Sequence, residues 1–458
     1  MPHSSLPVYT EKWPFQNLLE MARHPIRFSD KVFDSAGDSA LVKVPMGYFV
    51  MTRDPGFIKH TLQTNQKNYK KDPGYDQLAL FLGQGLVTSE GDLWRKQRRI
   101  AQPSFYKTQL EELYKDMVKV AESFVEELGT KEGEVIDISQ QMMAVTAKIA
   151  MKALFSRDMT GGLVEIYEAI SFGQEHVISR IMNPLSIPLS YINGKKRKFR
   201  KKKQLMDELV TSLIEQRGAG QSQGNDFLQM LMDARYEDTG EPMEQRQLLD
   251  ELVTIFSAGH ETSSNGMTWL FYLLSDHPEV VQRLREEQMR VSGHQLPAFS
   301  HLRQLTYHRQ VIEESMRLYP PVWTLGRQAI AADEWEGNQI KKGMIITCAI
   351  FHLHRNPHLW ENPERFDPDR FSAEQQKSRP KSHYLPFGAG PRMCIGNHFA
   401  MMEMQLLLAA MIHRFDFELI KDQRIDTEPL ITLRPRYGMN MRIRKASSRL
   451  RDSLPLES

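Results

Sequence analysis

The sequence predicts a mainly α-helical chain with small β-sheets, folded as a single large domain. Three observations predict it. Long stretches place apolar residues at helical spacing, strand-like runs cluster near the N-terminus and after residue 328, and no linker separates two cores. At 458 residues the chain could hold two or three average domains, but 41% hydrophobic residues are enough for one sizeable core. A formal net charge of only +2 gives no global attraction for nucleic acid. Two distant cysteines, Cys348 and Cys394, offer no disulfide framework and fit a reducing compartment. Met1 to Lys31 contains neither an apolar signal core nor a membrane-spanning run of about 20 residues. A cytoplasmic protein without a transmembrane anchor is therefore expected.

Taken in order, Leu41 to Thr52 alternates around Gly47 as a short hairpin, and Asp54-Pro55 opens a helix. Gly74 to Gly85 reads as a loop, though an apolar one. Asp92 to about Glu127 reads as one helix, followed by helices over Asp137–Phe155 and Leu163–Met182. Asn183-Pro184 and Ile187-Pro188 break the chain. Lys195 to Lys203 holds eight basic residues interrupted only by Phe199. It reads as a solvated helix start rather than a nucleic-acid segment. Gly218 to Asn225 has linker composition. Helices resume over Asp226–Arg235, Gln245–Ser275, Val280–Val291 and Tyr307–Leu318. Gln328 to Ile350 reads as strands turning at Glu336-Gly337-Asn338, and Asn356 to Tyr384 as proline-punctuated irregular chain. Asn397 to Phe415 is a last helix, Leu430 to Arg444 a final strand pair, and 446–458 a disordered tail after a domain spanning 1–445.

The chemistry concentrates at Phe387–Gly396, F-G-A-G-P-R-M-C-I-G. Gly388 and Gly390 permit tight turns and close backbone approach, so a flat ligand could lie on this loop. The helix after Cys394 points free N–H groups and its positive dipole end at the sulfur, which predicts a lowered thiol pKa and a ligating thiolate. A lone cysteine is more often a small core residue. A zinc site on Cys394 and His398 lacks the second pair of ligands that structural zinc requires. In the long helix, Ala258-Gly259-His260-Glu261-Thr262-Ser263 places a glycine mid-helix at a cost of about 1 kcal/mol. Glu261 and Thr262 alone could be a surface acid and a hydroxyl bonded to its own helix. Glu314 and Arg317, three apart, could be an ordinary ion pair worth a few tenths of a kcal/mol, roughly. Trp94 and Arg98 share a helix face.

In their order along the chain, these signatures resemble those of the cytochrome P450 family, over nearly the whole length. The resemblance implies the P450 fold and haem b held by the Cys394 thiolate. It implies Trp94, Arg98, Arg327 and Arg392 at the propionates, with Ala258, Gly259, Phe387 and Gly396 against the macrocycle. Glu261 and Thr262 match the acid–alcohol pair that serves bound oxygen and relays protons. Glu314 and Arg317 match the E-x-x-R pair, which meets an arginine from the irregular segment; Arg370 suits the pattern better than Arg365. The implied substrate pocket takes Tyr75, Leu78, Phe81, Leu82, Val322, Trp323, Leu325, Ile431 and Thr432, mostly apolar residues that suit a fatty acid, terpenoid or steroid-like substrate. Electrons from NAD(P)H would arrive through a separate ferredoxin or flavodoxin with its reductase, docking near Arg95, Lys96 and Arg99. A peroxide-driven peroxygenase and a non-catalytic haem-thiolate sensor are the alternatives. Neither needs the acid–alcohol pair.

Overall fold

In the computed structural model, which describes residues 6–11, 13–157, 162–182, 194–220 and 224–446, side-chain hydrogen-bond acceptors and prolines mark where several helices begin. Asp54 accepts the Phe57 N–H at 2.6 Å and opens the helix Pro55–Lys59. Asp137 does the same through Ser139 for Ile138–Phe155, and Asp226 through Gln229 for Phe227–Asp233. The central helix, Gln245–Ser275, runs 31 residues with most of its side chains buried. At 1.5 Å per residue it spans roughly 46 Å, the width of the molecule. Around it pack Lys107–Gly129, Ile138–Phe155, Thr306–Leu318 and Asn397–Arg414, which share one hydrophobic core.

Among the described residues the strands form four sheets. The largest has six strands in the order Val8–Tyr9, Ser39–Val44, Gly47–Thr52, Ile345–Cys348, Leu325–Ala329, Tyr69–Lys71. Its first hairpin pairs Ser39 with Thr52 through Val44 with Gly47, the alternation anticipated around Gly47. Asp333–Trp335 and Asn338–Ile340 form a small ribbon, turning at Glu336 and Gly337, which both have positive φ.

Four expectations need correction. Gly74–Leu82 is a helix, not a loop. Asp72 caps it by accepting the Gly74 N–H at 2.6 Å, and Leu78, Phe81 and Leu82 recur at helical spacing. It ends at Gly83, where φ is +72° and any Cβ would strike the Asp250 carboxylate. The stretch from Asp92 to Glu127 is two helices, Gly91–Ala101 and Lys107–Gly129, because Pro103 lies in a 3-10 turn between them. Phe227–Asp233 stops short of Arg235, which bridges to Pro242 instead. The C-terminal strands do not pair as one hairpin. Thr427–Pro429 pairs with Leu433–Pro435, whereas Asn440–Lys445 lies between Phe415–Leu419 and Val135–Asp137. The breaks at Pro184 and Pro188 and the tail beyond Ala446 lie outside the described residues. Of the expected linker, 221–223 are likewise outside. Its flanks are tied by a buried bidentate pair, Arg217 to Asp226, at 2.8 and 2.7 Å.

Candidate active site

The loop Phe387–Gly396 is closed by a hydrogen bond from the Cys394 N–H to the Phe387 carbonyl at 2.9 Å. Gly390 must be glycine: φ is +70° and a Cβ would run into the Leu62 carbonyl oxygen. Gly388 brings the loop within van der Waals reach of Leu325, and Gly396, the residue before the helix Asn397–Arg414, lies against Phe105. Cys394 has open surface even though it lies deep in the packing, so its sulfur faces interior space. Burial pushes this thiol up, and the Gly396 N–H and Arg98 only partly oppose it. The sequence argument for a lowered thiol pKa thus reverses sign: the helix terminus helps, but desolvation is larger. A coordinating metal deprotonates such a thiol outright. The other cysteine, Cys348, is fully buried in a central strand and pushed up to about 12.

Beside this loop lies a group of cations, Arg327 buried and Lys71, Arg98 and Arg392 half-buried. Arg98 donates to the Met393 carbonyl at 2.9 Å. Arg392 lies over the Trp94 ring at 3.9 Å, donates to the Ser89 carbonyl and pairs with Glu90. Arg327 donates to its neighbour's carbonyl at Gly326. Strand pairing sets Lys71 opposite Arg327, and the Lys71 ammonium donates to the backbone carbonyls of Ser89 and Leu86 and lies over the Tyr75 ring at 5.6 Å. Burial, then repulsion from Arg392, pulls Lys71 down to about 7. Sequence reasoning missed this lysine. Its signal was the strand Tyr69–Lys71 itself, whose last residue had to face the predicted Arg327.

On the central helix, Ala258 is exposed and Thr262 half-exposed, one turn apart, while Ser257, Glu261, Ser263 and Ser264 are buried. A Cβ on Gly259 would meet nothing within 4 Å, so the glycine widens open space rather than relieving a clash. The Thr262 hydroxyl donates to the Ala258 carbonyl at 2.7 Å. Glu261 turns the other way and accepts from Thr432 Oγ1 at 2.5 Å, and Thr432 accepts from Asn265 at 3.0 Å. His260, within the same motif, bonds the Phe256 carbonyl and is pushed down to about 4 by burial, a core histidine. An open thiol, a widened helix face and three cations without a carboxylate partner among the described residues, Lys71, Arg98 and Arg327, match the donor set for a haem with two propionates. The residues present therefore fit the haem that the sequence resemblance implies.

Glu314 and Arg317 are both fully buried and joined at 2.7 and 2.9 Å. The remaining Arg317 donors reach the carbonyls of His354, Pro363 and Arg365. Arg370 meets Glu314 at 3.5 Å, whereas Arg365 supplies only that backbone oxygen.

The pocket residues divide. Tyr75, Leu78, Val322, Leu325 and Ile431 are half-buried, as residues lining a cavity would be. Leu82 is buried in the main core. Phe81 belongs to that core too, packed on Gly173 and Phe199, and Trp323 is fixed by donating to the Leu430 carbonyl at 2.9 Å. Thr432 is spent on Glu261. These four are pocket supports rather than walls. The expected donor patch also changes. Arg95, Lys96 and Arg99 are exposed, but Asp92, Asp238 and Glu237 pair with them, so little net positive charge remains to steer a partner.

One buried acid was not anticipated. Glu403, on the helix after Cys394, is fully buried, and Ser263 lies beside it without good hydrogen-bond geometry. Burial raises it to about 8. A folded pKa above the unfolded value means the folded state holds the proton more tightly, so stability falls as pH rises from about 4.5 to about 8. Glu403→Gln is expected to be more stable than the parent at pH 8, by as much as a few kcal/mol, and equal to it near pH 5. Denaturant unfolding at the two pH values checks this; a pH-independent difference would refute it.

The family model for Cytochrome P450 matches residues 6–440. Cyclooctat-9-en-7-ol 5-monooxygenase of Streptomyces melanosporofaciens is 30% identical over 395 residues, covering 86% of this chain and 85% of its own. Cytokinin hydroxylase of Arabidopsis thaliana is 31% identical over 371 residues, covering 79% and 72%. The crystal structure of a cytochrome P450DA heme domain superposes with a TM-score of 0.89 over 96% of this chain and 97% of that one, at 23% identity, which speaks to the fold. Among the described residues, no helix is long and apolar enough to cross a membrane. With a matching family model over nearly the whole chain and hydroxylating relatives beside it, the chain belongs to the cytochrome P450 family and is a haem-thiolate monooxygenase.

Proposed function

We propose that Cys394 would supply the thiolate that holds the haem and that the chain inserts one oxygen atom of O2 into a lipophilic substrate. The observation that carries this reading is the open, interior-facing sulfur of Cys394 in a loop tied shut at Phe387. Haem held by a thiolate supplies oxygen activation, with electron density pushed toward the iron. The protein's part is to hold, orient and protonate. Lys71, Trp94, Arg98, Arg327 and Arg392 hold the propionates. Thr262, the hydroxyl on the accessible face of the central helix, offers a proton at the oxygen side. By the family resemblance Glu261 is the acid of this pair, although it is turned away from Thr262 and accepts from Thr432, which accepts from Asn265. Residues 1–445 are assigned to this one domain, with a cytoplasmic location.

The half-buried pocket residues are mostly apolar, and one relative is named for cyclooctat-9-en-7-ol and another for cytokinin, which supports a lipophilic substrate. Electrons from NAD(P)H enter through a ferredoxin or flavodoxin and its reductase. Because the charges around Arg95, Lys96 and Arg99 are matched, docking there relies on shape and local pairs more than on long-range steering.

Reconstitution with a surrogate ferredoxin and reductase tests the whole reading. Substrates are first selected by their optical spin-state shift, and NAD(P)H, oxygen, peroxide and product are then followed together. Thr262→Ala is expected to keep substrate affinity while product per NAD(P)H falls by about tenfold or more, the difference appearing as peroxide. Unchanged coupling would remove the relay. Turnover driven by peroxide alone, with none from the donor, would replace the monooxygenase by a peroxygenase.

A further inference from the structure

The basic run Lys195–Lys203 opens the helix Lys195–Gly218 and forms one wall of a groove outside the pocket. The groove encloses about 1030 Å³ between that helix, Gly162–Met182, the end of Gly74–Leu82 and the start of the central helix. Lys196, Phe199, Arg200 and Lys203 recur at three- and four-residue spacing, so they share the groove-facing side. Leu80, Val177, Phe199 and Leu249 give the groove an apolar strip, and Leu80 is exposed there.

Charge is distributed unevenly along it. Asp207 takes up Lys203 at 2.5 Å and Arg246 at 3.3 Å, and Asp250 takes Arg246 as well. At the other end, Arg180 meets only the neutral amide of Gln77 at 3.0 Å, and Arg200 has no carboxylate partner among the described residues. His176 also lines this groove. It is 8% exposed, tilted against the Phe199 ring at 4.7 Å and stacked on Phe172 at 6.3 Å, and its ring nitrogens have no hydrogen-bond partner among the described residues. Burial, then repulsion from Arg180 and Lys195, pushes its imidazole down, and either protonation state offers at least one N–H donor. An unpartnered imidazole beside unneutralised cations is a site for an anion.

We propose that this groove is a second ligand site for a long-chain carboxylate, its anionic end among His176, Arg180 and Arg200 and its alkyl chain along Leu80, Val177 and Phe199. A nucleic acid would have to run over Asp207, Glu208 and Glu215, which line the same groove. A flat bilayer would not reach His176 at its depth. The site stands independently of the roles given to Cys394 and Thr262.

The test uses the haem-loaded protein and a fluorescent long-chain carboxylate, with the corresponding long-chain alcohol as the uncharged probe. An iron-coordinating inhibitor fills the haem-side pocket throughout. Saturable binding of the carboxylate is expected under these conditions. Arg200→Glu should weaken it by about tenfold or more, leaving the alcohol and the reduced carbon monoxide spectrum unaffected. His176→Phe, which keeps the stacking and removes the donor, should weaken it as well. Equal affinity for acid and alcohol, loss of the probe when the inhibitor binds, or binding only to vesicles of anionic lipid would each overturn the proposal. Turnover of a neutral substrate, measured separately, stays the criterion for the monooxygenase.

Discussion

Cys394→Ser is expected to abolish the red-shifted Soret band of the reduced carbon monoxide complex, and with it turnover, while Cys348→Ser keeps both. Serine's alcohol does not deprotonate under conditions where a metal-bound thiol does, and it lacks the polarisable sulfur that pushes electron density toward iron. The loop itself should survive, because it is closed through the Cys394 backbone N–H and not its side chain. Cys348 sits fully buried in strand Ile345–Cys348, paired with Leu325, where a hydroxyl costs roughly 1–3 kcal/mol of stability. The reduced carbon monoxide spectrum of each variant, read beside its haem content, decides the assignment. A Cys394 variant that kept the band would refute it.

Glu314→Ala is expected to cost about 3–5 kcal/mol, because it strands a fully buried Arg317 guanidinium whose remaining partners are neutral carbonyls. Against a total stability of about 5–15 kcal/mol, that is enough to leave much of the protein unable to hold its cofactor. Arg370→Ala should be far milder, by about 1 kcal/mol or less, since Arg370 is partly solvated and meets Glu314 only at 3.5 Å. Denaturant midpoints and haem retained per protein separate the two. Equal losses would mean that Arg370, not the Glu314–Arg317 pair, carries the network.

Much of this was legible in the sequence because it is local. The 31-residue helix, the N-cap at Asp54, the first hairpin and the glycine turns around Cys394 follow from neighbours in the chain. What was not legible depends on distance. Gly74–Leu82 looked like a loop because two glycines bracket it, and only the Asp72 cap and the packing on Phe199 and Gly173 make it a helix. Lys71 carried no motif; it is drawn in by strand pairing with Arg327. The sign of the Cys394 shift was missed because desolvation is a property of the whole fold, whereas the helix terminus is written in the next few residues. Likewise, nothing near Arg95 in the sequence announces Glu237 and Asp238, which arrive from another part of the chain to neutralise its helix.

The central helix ties down both of the chain segments assigned to the proposed pocket. Near its start, Asp250 and Glu251 accept the backbone N–H groups of Gln84 and Leu86; further along, Asn265 holds Thr432 and Trp269 holds the Leu433 carbonyl. It works like the fixed bar of a calliper. A substitution that tilts or bends the bar moves both jaws together, so it shifts the cavity without widening it. For anyone redesigning substrate range, room must therefore come from the tips of the jaws, at Leu78, Val322 or Ile431. Changes at Asp250, Glu251, Asn265 or Trp269 would loosen the calibration of the whole tool.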